Sequence, residues 1–483
     1  MFNKKLFVLS GIGLIMALTM SACRSDPTET ADESAGQVLQ EDTITQVDRI
    51  QSRKKIRVLT DYNSTNYFIF RGTPMGFHYE RAEQFANDLG VSLEIIPENN
   101  IDTALAMLNR NQCDVLAMDL AVTRKRKDLV DFANPHYQTR QMLVQHKPER
   151  WRKMTTYDEV EKHLVRSPLK LAGDTVHVQE ETAYVNRLRN LMEEIGDTIY
   201  IIEDSLEVEQ LIKKVADGKI KYTIADEHVA NVNTRYFPDI DVKTPISFPQ
   251  NVAWAVKKGH DSLLHVINEW QQSFNDTFLA NVLYNKYFKN SGSQQLYYSE
   301  YHSITGSRIS AFDHILKEEA KKLGWDWRLI ASMIYQESNF LPEAQSWMGA
   351  YGLMQMMPAT MMKMGIDSSA SPRQQIKAGI RYIKWLDKQF QPRVEDEEER
   401  KKFVLAAYNV GIAHVFDAIR LAEKYEKDPA VWDENVDWFL LNKSNPEFYQ
   451  DSVVYYGYAR GEEPYKYVNE IYSRYDHYRK IIE

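Results

Sequence analysis

The stretch "DWRLIASMIYQESNF", residues 326–340, has the hydrophobic periodicity of an amphipathic helix. Four apolar side chains recur at helical spacing and define one face: Leu329, Ile330, Met333 and Ile334. Glu337 follows Ile334 by three residues and Met333 by four, so its carboxyl falls on the same face. The sequence therefore predicts a helix that begins after the N-cap Asp326 and buries an acid near its end.

A buried carboxyl has a chemical use that a surface carboxyl lacks. Removal from water disfavours the ionised form, so the pKa of Glu337 should rise and the group should stay protonated near neutral pH. A protonated carboxyl can act as a general acid toward a glycosidic oxygen. The alternative interpretation is a surface ion pair, in which Glu337 would have no catalytic role.

The chain around this helix predicts an all-α domain. "NSGSQQ", residues 290–295, breaks the preceding pattern and indicates a linker over residues 290–304. Helical periodicity follows in "ISAFDHILKEEAKKLG", which ends at Gly324, and in "PRQQIKAGIRYIKWLDKQF", which has Pro372 in its first turn. We expect a helical domain over residues 305–483.

Four motifs occur in order within this region. They are "ES" (337–338), "SWMGAYGLMQMMP" (346–358), "AAYNVG" (406–411) and, more loosely, "EPYKYVNEI" (463–471). Together they resemble the lytic transglycosylases of the goose-lysozyme-like superfamily, whose SLT-type domains cleave bacterial cell-wall glycan. The resemblance covers about residues 305–475 and implies a lysozyme-like fold.

The resemblance also implies a mechanism that needs no metal, cofactor or water. Glu337 would protonate the oxygen between N-acetylmuramic acid and N-acetylglucosamine. Its carboxylate would then take the proton of the muramyl C6 hydroxyl, which attacks C1 and closes a 1,6-anhydro ring. The residues implied to bind the glycan around it are Ser338, Met354, Gln355, Tyr408, Asn409 and Tyr467.

These residues have separate expected roles. Ser338 would orient Glu337 or a sugar group, and Tyr467 would stack near the catalytic carboxyl or hydrogen-bond to it. The Met354 backbone and the Gln355 amide would hold N-acetyl groups, while Tyr408 and Asn409 would line the cleft. We expect the neighbouring Met356 and Met357 to fill the core instead.

Two other functions stay open at this stage. A hydrolytic muramidase on the same helical fold would need a second carboxylate, and no second acid is expected inside the motifs. A non-enzymatic envelope receptor with a degenerate catalytic domain is the other alternative. The presence of Glu337, Gln355, Tyr408 and Asn409 argues against that receptor.

Residues 53–289 predict a different architecture. Short strands such as "KIRVLTD" and "VSLEIIPE" alternate with helices such as "GFHYERAEQFANDLG", which indicates an α/β domain with a largely parallel sheet. "GFHYERAEQFA", "CDVLAMDLAVTRKRKDLVDFANPHY" and "IKYTIADEHVAN" resemble the polar amino-acid type of periplasmic solute-binding protein (family 3). That family has two lobes that close on a ligand.

The second resemblance implies a zwitterion site. Thr123 and Arg126 match the residues that bind a ligand carboxylate, and Asp226 matches the acid that takes its ammonium group. The simpler interpretations are a solvated basic face for "RKRK" (124–127) and a helix N-cap for Asp226. Ala121 replaces the hydroxyl usual in amino-acid binders, which argues against a free amino acid as ligand and leaves the ligand open between an amino acid and a muropeptide.

The N-terminus predicts export and anchoring. Residues 1–23 have two lysines, an apolar run too short for a bilayer span, and "SAC" ending at Cys23, which resembles a lipoprotein signal peptide. An ordinary cleaved signal with a chance cysteine is the alternative. Residues 24–52 are polar and acidic and predict a flexible tether. Arg24 after the cysteine favours the periplasmic face of the outer membrane over the inner membrane.

Charge and cysteine content limit the classes of binding partner that the sequence predicts. A net charge of -9 gives no basic surplus, which excludes nucleic acid as an expected partner. With Cys23 acylated, Cys113 has no partner and should be a small buried residue. The expected partners are glycan strands of peptidoglycan, a small ligand of the N-terminal domain, and the membrane through the lipid.

Overall fold

The computed structural model describes residues 44–180, 182–289, 299–304, 306 and 308–482, which contain two α/β lobes and a helical domain. In chain order the strands are β1 (Lys55–Thr60), β2 (Phe68–Phe70), β3 (Thr73–Met75), β4 (Ser92–Pro97), β5 (Val115–Leu116), β6 (Val130–Phe132), β7 (Tyr137–Thr139), β8 (Gln141–His146), β9 (Thr175–Gln179), β10 (Tyr200–Asp204), β11 (Tyr222–Asp226), β12 (Ile240–Pro245), β13 (Gln250–Val252) and β14 (Ala255–Lys257).

The helices of the α/β region surround these strands. They are α1 (Gln46–Ser52), α2 (Phe77–Asp88), α3 (Ile101–Asn109), α4 (Arg124–Lys127), α5 (Tyr157–Glu161), α6 (Ala183–Ile195), α7 (Val208–Ala216), α8 (Glu227–Tyr236), α9 (Asp261–Asn275) and α10 (Phe278–Tyr284). Gly90, with φ of 72°, follows the C-cap of α2 and ends that helix as expected.

Each lobe has a five-stranded sheet. The first has the order β4-β1-β5-β14-β6, and the second has the order β10-β9-β11-β8-β12. In the first sheet β1 is parallel to β4 and β5, with Val58 between Ile95 and Val115, whereas β14 is antiparallel to β5 and β6. In the second sheet β9 is parallel to β10 and β11, whereas β8 is antiparallel to β11 and β12. Both sheets are therefore mixed rather than largely parallel. In the first sheet the reason is that β14 belongs to the segment that returns from the second lobe.

The predicted tether is wrong at its C-terminal end. Residues 46–52 form helix α1, which begins with a capping box between Thr45 and Asp48. Ile50 is fully buried in the first lobe, and the Gln46 amide donates to the Asp114 carboxylate at 2.9 Å. One buried isoleucine and a good cap fix this short helix despite its polar composition. Cys23 and the rest of the predicted tether lie outside the described residues.

The helical domain follows. Its helices are α11 (Asp313–Leu323), α12 (Trp327–Ser338), α13 (Pro358–Lys363), α14 (Pro372–Phe390), α15 (Glu397–Val410), α16 (Ile412–Lys424), α17 (Asp437–Leu441), α18 (Pro446–Tyr449) and α19 (Glu462–Ile481). The apolar face predicted for α12 is buried in one core, in which α12 packs on α11 and α19. The Asp326 side chain caps α12 as expected.

The hairpin β2–β3 joins the first lobe to the helical domain. Ile69 of β2 belongs to the core of the helical domain. The Tyr478 hydroxyl of α19 donates to the Gly72 carbonyl at 2.7 Å, and Thr73 and Tyr335 share a hydrogen bond of 2.8 Å. Residues 299–304, the described part of the predicted linker, lie along the same hairpin, since the Ser303 amide donates to the Ile69 carbonyl. Ser291 to Gln295 lie outside the described residues.

Candidate active site and interlobe cleft

Glu337 lies in the last turn of α12, where α12 packs against α19. The Ser332 hydroxyl donates to the Ile471 carbonyl at 2.7 Å and fixes the two helices. On α19, the buried Tyr467 donates its hydroxyl to Oε1 of Glu337 at 2.5 Å. Burial raises the pKa of Glu337 to about 7, although the Tyr467 hydrogen bond acts in the opposite direction. The predicted acid and its partner are thus in contact.

The segment after α12 turns sharply away from the helix. Asn339 and Phe340 have φ of 50° and 60°, which ends α12 directly after Glu337 and Ser338. The Ser338 hydroxyl donates to backbone carbonyls, Leu353 at 2.8 Å and Ile334 at 3.2 Å. In this structure Ser338 therefore ties the helix to the following loop.

Gln355 organises that loop. Its φ of 42° is uncommon for a residue with a side chain. Its amide nitrogen donates to the Ala344 carbonyl at 2.9 Å and to the Gly352 carbonyl at 2.8 Å. Both N–H groups are used inside the loop, which leaves Oε1 as the atom that can meet an N-acetyl group.

Tyr408 and Asn409 lie at the end of α15. The Tyr408 hydroxyl donates to the Met354 carbonyl at 2.8 Å and so fixes the backbone expected to contact substrate. Burial raises the pKa of Tyr408 well above its ordinary value, and the nearby Glu337 adds to this effect. Asn409 lines the same cleft as Glu337. Of the adjacent methionines, Met356 is buried as predicted, but Met357 is 43% exposed, so core filling is wrong there.

An open cleft of about 720 Å³ leads to Glu337. Besides Asn409 and Tyr467, it is lined by Gln336, Ser444, Tyr458, Arg460, Glu462, Glu463, Lys466 and Glu470. The expectation of no second acid inside the motifs is therefore wrong. Glu463 and Glu470 belong to the loosest motif and enter the cleft because α19 runs along it. The Glu463 charge contributes to the raised pKa of Glu337.

The second candidate site is the cleft between the two α/β lobes. It is lined by Arg126 and Ala121 from the first lobe and by Tyr184 and Asp226 from the second. Arg126 donates to the Ala121 carbonyl at 3.0 Å. Burial raises the pKa of Asp226 to about 6, and the charge of Asp119 adds to this effect. The charge of His228, a Tyr184 hydrogen bond and the Arg126 charge act in the opposite direction.

The simpler interpretations account for part of this region. Arg124, Lys125 and Lys127 of α4 are exposed, as expected for a solvated basic face, whereas Arg126 is half-buried at the cleft. The Thr123 side chain accepts from the Arg126 amide at 3.3 Å, so it caps α4, and it lines an adjoining part of the cleft. Asp226 occupies the N-cap position of α8, but its side chain caps none of the described residues of that helix.

Two direct bridges between the lobes were missed by the sequence analysis. Asp119, after β5, accepts hydrogen bonds from His78 at 3.1 Å and from His228 of α8 at 2.6 Å. Burial alone would lower the pKa of His228, but the charge of Asp119 and its hydrogen bond raise it to about 9. Ser64 donates its amide and hydroxyl to Glu209 at 3.0 and 2.9 Å. The signal available was an acid inside the apolar run "DVLAMDLAV".

The remaining features concern the free cysteine, metal sites and membrane spans among the described residues. Cys113 is buried, as predicted. Within the described ranges, groups of three or more His, Cys, Asp or Glu side chains arranged to hold a metal ion are absent. The described helices include none with the length and apolarity required to span a bilayer.

Comparison with known proteins gives the class of each part of the chain. Residues 314–431 match the family model of the transglycosylase SLT domain, and residues 55–290 match that of bacterial extracellular solute-binding proteins, family 3. Solved structures similar to the chain include a mutant of ArgBP from T. maritima, 22% identical, with TM-score 0.42 over 50% of this chain and 99% of that one. An ancestral amino acid-binding protein is also 22% identical, with TM-score 0.42 over 51% of this chain and 100% of that one.

Curated relatives match across both domains. The chain is 36% identical to the membrane-bound lytic murein transglycosylase F of Desulfosudis oleivorans, over 89% of this chain and 90% of that protein. It is 32% identical to the protein of that name from Pseudomonas fluorescens, over 89% and 86%. The chain belongs to the membrane-bound lytic murein transglycosylase F family, whose members are lyases.

Proposed function

We propose that this chain cleaves the β-1,4 bond between N-acetylmuramic acid and N-acetylglucosamine in peptidoglycan, with Glu337 as acid and then base. The protonated carboxyl gives its proton to the leaving oxygen. The muramyl C6 hydroxyl attacks C1 as its own proton passes to the Glu337 carboxylate. The proton is returned to the enzyme, water is not consumed, and the product carries a 1,6-anhydromuramyl end.

The observation that carries this proposal is the pKa of Glu337, which lies near 7 because the group is buried. At neutral pH both the protonated and the ionised form are accessible, and the two steps use one each. Tyr467 holds Oε1 by its hydrogen bond and so sets the direction of the carboxyl. The Ser338 hydroxyl is held by two backbone carbonyls. The Met354 carbonyl and the Gln355 side-chain oxygen are the groups that we expect to bind N-acetyl groups of the glycan. Tyr408 and Asn409 complete that side of the cleft.

Hydrolysis is the second candidate, because Glu463 lines the same cleft as Glu337. A glycosidase that uses water needs a second carboxylate as base or nucleophile. Glu463 is exposed, at the first turn of α19, which suits a solvated acid better than a positioned base. The lyase mechanism needs only one carboxyl, that of Glu337, whose pKa is raised by burial.

The products distinguish the two reactions. Digestion of purified cell wall in labelled water, followed by mass spectrometry, should give 1,6-anhydromuramyl ends without the label. Reducing muramic acid ends that carry labelled oxygen would establish hydrolysis instead.

We also propose that the two-lobed domain binds a zwitterionic ligand from the cell wall and regulates cleavage. Arg126 can offer a planar fork to a carboxylate, and Asp226 can accept an ammonium group across the cleft. A stem peptide freed from the wall has both groups, as does an amino acid. The domain would then have an open and a closed state, and a ligand that binds the closed state better would shift the population toward it.

The hairpin β2–β3 offers a physical route for this regulation. Thr73 bonds Tyr335, which is two residues before Glu337 on α12. Tyr67, just before β2, shares a hydrogen bond of 2.6 Å with His477 of α19, the helix that also carries Tyr467. A shift of the first lobe would therefore be transmitted to α12, which carries Glu337, and to α19, which carries Tyr467.

Anchoring through Cys23 at the outer membrane is a further part of the proposal. The apolar run before Cys23 is shorter than the roughly 20 residues that span a bilayer. Cys23→Ala should release a soluble periplasmic protein or leave an unprocessed precursor, as judged by fractionation and N-terminal mass analysis. Membrane retention of the correctly cleaved variant would show that something other than the lipid is responsible.

A further inference from the structure

The segment 450–461, "QDSVVYYGYARG", connects α18 to α19 and is here named the tyrosine loop. It presents three aromatic side chains to solvent: Tyr455, Tyr456 and Tyr458, which are 72%, 59% and 55% exposed. Large exposed aromatics grouped on one loop beside a catalytic cleft mark an interaction surface.

A buried ion cluster holds this loop in place. Asp417 of α16 is buried and accepts the backbone amides of Tyr455 at 2.9 Å and Tyr456 at 3.0 Å. Lys443, itself fully buried, and Arg420 form ion pairs with the same carboxylate. Arg420 also donates to the Val453 carbonyl at 2.7 Å. Charged groups of this kind define one conformation when every partner is satisfied.

The end of the loop is fixed by close packing. Gly457 has φ of 64°, which favours glycine. A Cβ at Gly461 would lie 1.6 Å from the Leu440 carbonyl oxygen, so the backbone can approach α17 only with glycine there. Between them Ala459 is buried, while Tyr458 and Arg460 face outward on either side of it.

Tyr458 and Arg460 both line the Glu337 cleft. Arg460 is exposed, and among the described residues its guanidinium has neither a carboxylate partner nor a hydrogen-bond partner. Lys466, the other cation at this cleft, is instead paired with Glu462 at 2.6 Å. A rigid loop thus presents one uncommitted guanidinium beside an aromatic ring at the mouth of the active site.

We infer that Arg460 binds a carboxylate on the muramyl side of the substrate while Tyr458 packs against a sugar ring. The inference rests on the proposed function and specifies which substrate strands the cleft prefers. A guanidinium recognises carboxylates bidentately, and aromatic rings pack on the apolar faces of sugars. Two sources supply the carboxylate: the stem peptide, or the lactyl group of a muramyl residue whose stem has been removed.

The test compares wild type with Arg460→Gln and Arg460→Lys on three ligands. Cleavage is measured on soluble strands that carry stem peptides and on the same strands after an amidase has removed the stems. Binding of a chitooligosaccharide, which has no carboxylate, is measured by calorimetry. We expect Arg460→Gln to lower kcat/KM about 10-fold on the strand whose carboxylate Arg460 binds, because a charge-assisted hydrogen bond is lost. The change should appear as a higher KM. Arg460→Lys should recover part of this loss, and chitooligosaccharide binding should not change.

The pattern of losses identifies the source. A loss confined to stem-bearing strands assigns the stem carboxylate, and one confined to stripped strands assigns the lactyl carboxylate. Lys388→Gln, which removes an exposed charge from α14 away from the cleft, is the control and should match wild type. Tyr458→Ala should raise KM on both strands and weaken chitooligosaccharide binding, and Tyr458→Phe, which keeps the aromatic ring, should recover most of both losses.

Two results overturn the inference. One is unchanged kcat/KM for Arg460→Gln on both strands. The other is an equal loss that extends to the chitooligosaccharide, since that ligand has no carboxylate. Wild type inactive on both strands would instead refute the proposed function. The failure of the inference and the failure of the function are therefore distinguishable.

Discussion

At Glu337 two opposing effects set the pKa. Burial against the core of the helical domain raises it, whereas the hydrogen bond from Tyr467 lowers it. Burial dominates and places the pKa at about 7, compared with 4.5 for the free side chain. A carboxyl in this range can give and recover a proton in one turnover.

Glu337→Gln keeps the size and hydrogen bonding of the side chain but cannot transfer a proton. We expect the rate of glycan cleavage to fall by about 100- to 10,000-fold, the range for loss of acid–base catalysis. Cleavage is measured by release of soluble muropeptides from purified wall. Glu343→Gln, at an exposed position six residues along, is the matched control and should keep wild-type activity.

The stability of the same variant checks that the loss is chemical. In wild type, the penalty for ionising buried Glu337 in the folded protein is absent below about pH 4.5 and complete above about pH 7. Relative to wild type, the Gln variant should therefore gain free energy of unfolding as pH rises through this window, by about 3 kcal/mol. Near wild-type turnover by the Gln variant would refute the role of Glu337.

Tyr467→Phe removes only the hydroxyl that donates to Glu337. Because that hydrogen bond lowers the pKa of Glu337, its loss should move the alkaline limb of the pH profile of kcat/KM upward by about one pH unit. Activity at neutral pH should also fall, since the carboxyl is no longer oriented. Tyr465→Phe on the same helix provides the comparison, and an unmoved alkaline limb in Tyr467→Phe would contradict this role.

Among the elements, α14 supports the loop that carries Met354 and Gln355 by close contact. Gly379 of α14 faces the buried side chain of Met354, and a Cβ added there would lie 2.1 Å from the Met354 sulfur. Helix α15 holds the same residue from another direction, because Tyr408 bonds its carbonyl. The position of Met354 is thus decided by two helices distant from it in sequence.

Gly379→Ala should overpack this contact. We expect the free energy of unfolding to fall by about 1–3 kcal/mol and cleavage to slow, because the Met354 backbone must shift. Denaturant unfolding measures the first effect and muropeptide release the second. In a double-mutant cycle with Met354→Ala, which creates space, the two destabilisations should be less than additive. Strict additivity would mean that the two residues do not oppose one another.

At the scale of the whole molecule, the lobes are bridged directly. Asp119–His228 and Ser64–Glu209 cross the cleft beside the candidate ligand site. Arg126 and Asp226 line the same cleft as Asp119 and Glu209, so a ligand bound to them would lie close to both bridges. Under the regulation proposed above, a ligand that favours one arrangement of the lobes would act through the hairpin on the helices of Glu337 and Tyr467.

Ligand binding is tested with alanine variants of Arg126 and Arg124, which both belong to helix α4. Calorimetry with stem peptides and amino acids should show binding to wild type that Arg126→Ala weakens about 10-fold or more, because a charge-assisted contact is lost. Arg124→Ala, at the exposed position of the same helix, should bind as wild type. If none of these compounds binds, the domain is a spacer or a docking module.

Regulation is tested by adding the best binder to the cleavage assay. A coupling free energy of about 1–3 kcal/mol would change the rate roughly 5- to 150-fold, in either direction. The same ligand should leave the rate of Arg126→Ala nearly unchanged at that concentration. Binding without any change in cleavage would refute the regulatory role while leaving the binding site intact.

The sequence by itself determined the helix of Glu337, the position of its carboxyl on the buried face, and the order of an α/β region before an all-α domain. These follow from local periodicity and capping, which act over a few residues. The family resemblance placed Tyr467 near Glu337, and only the tertiary structure decided that Tyr467 donates its hydroxyl to Oε1 of that carboxyl. Only the tertiary structure decided that Glu463 enters the cleft, that α1 is folded, and that Asp119 bridges to His228. Each of these contacts depends on packing between elements far apart in the chain, and periodicity within one element carries no information about its partner.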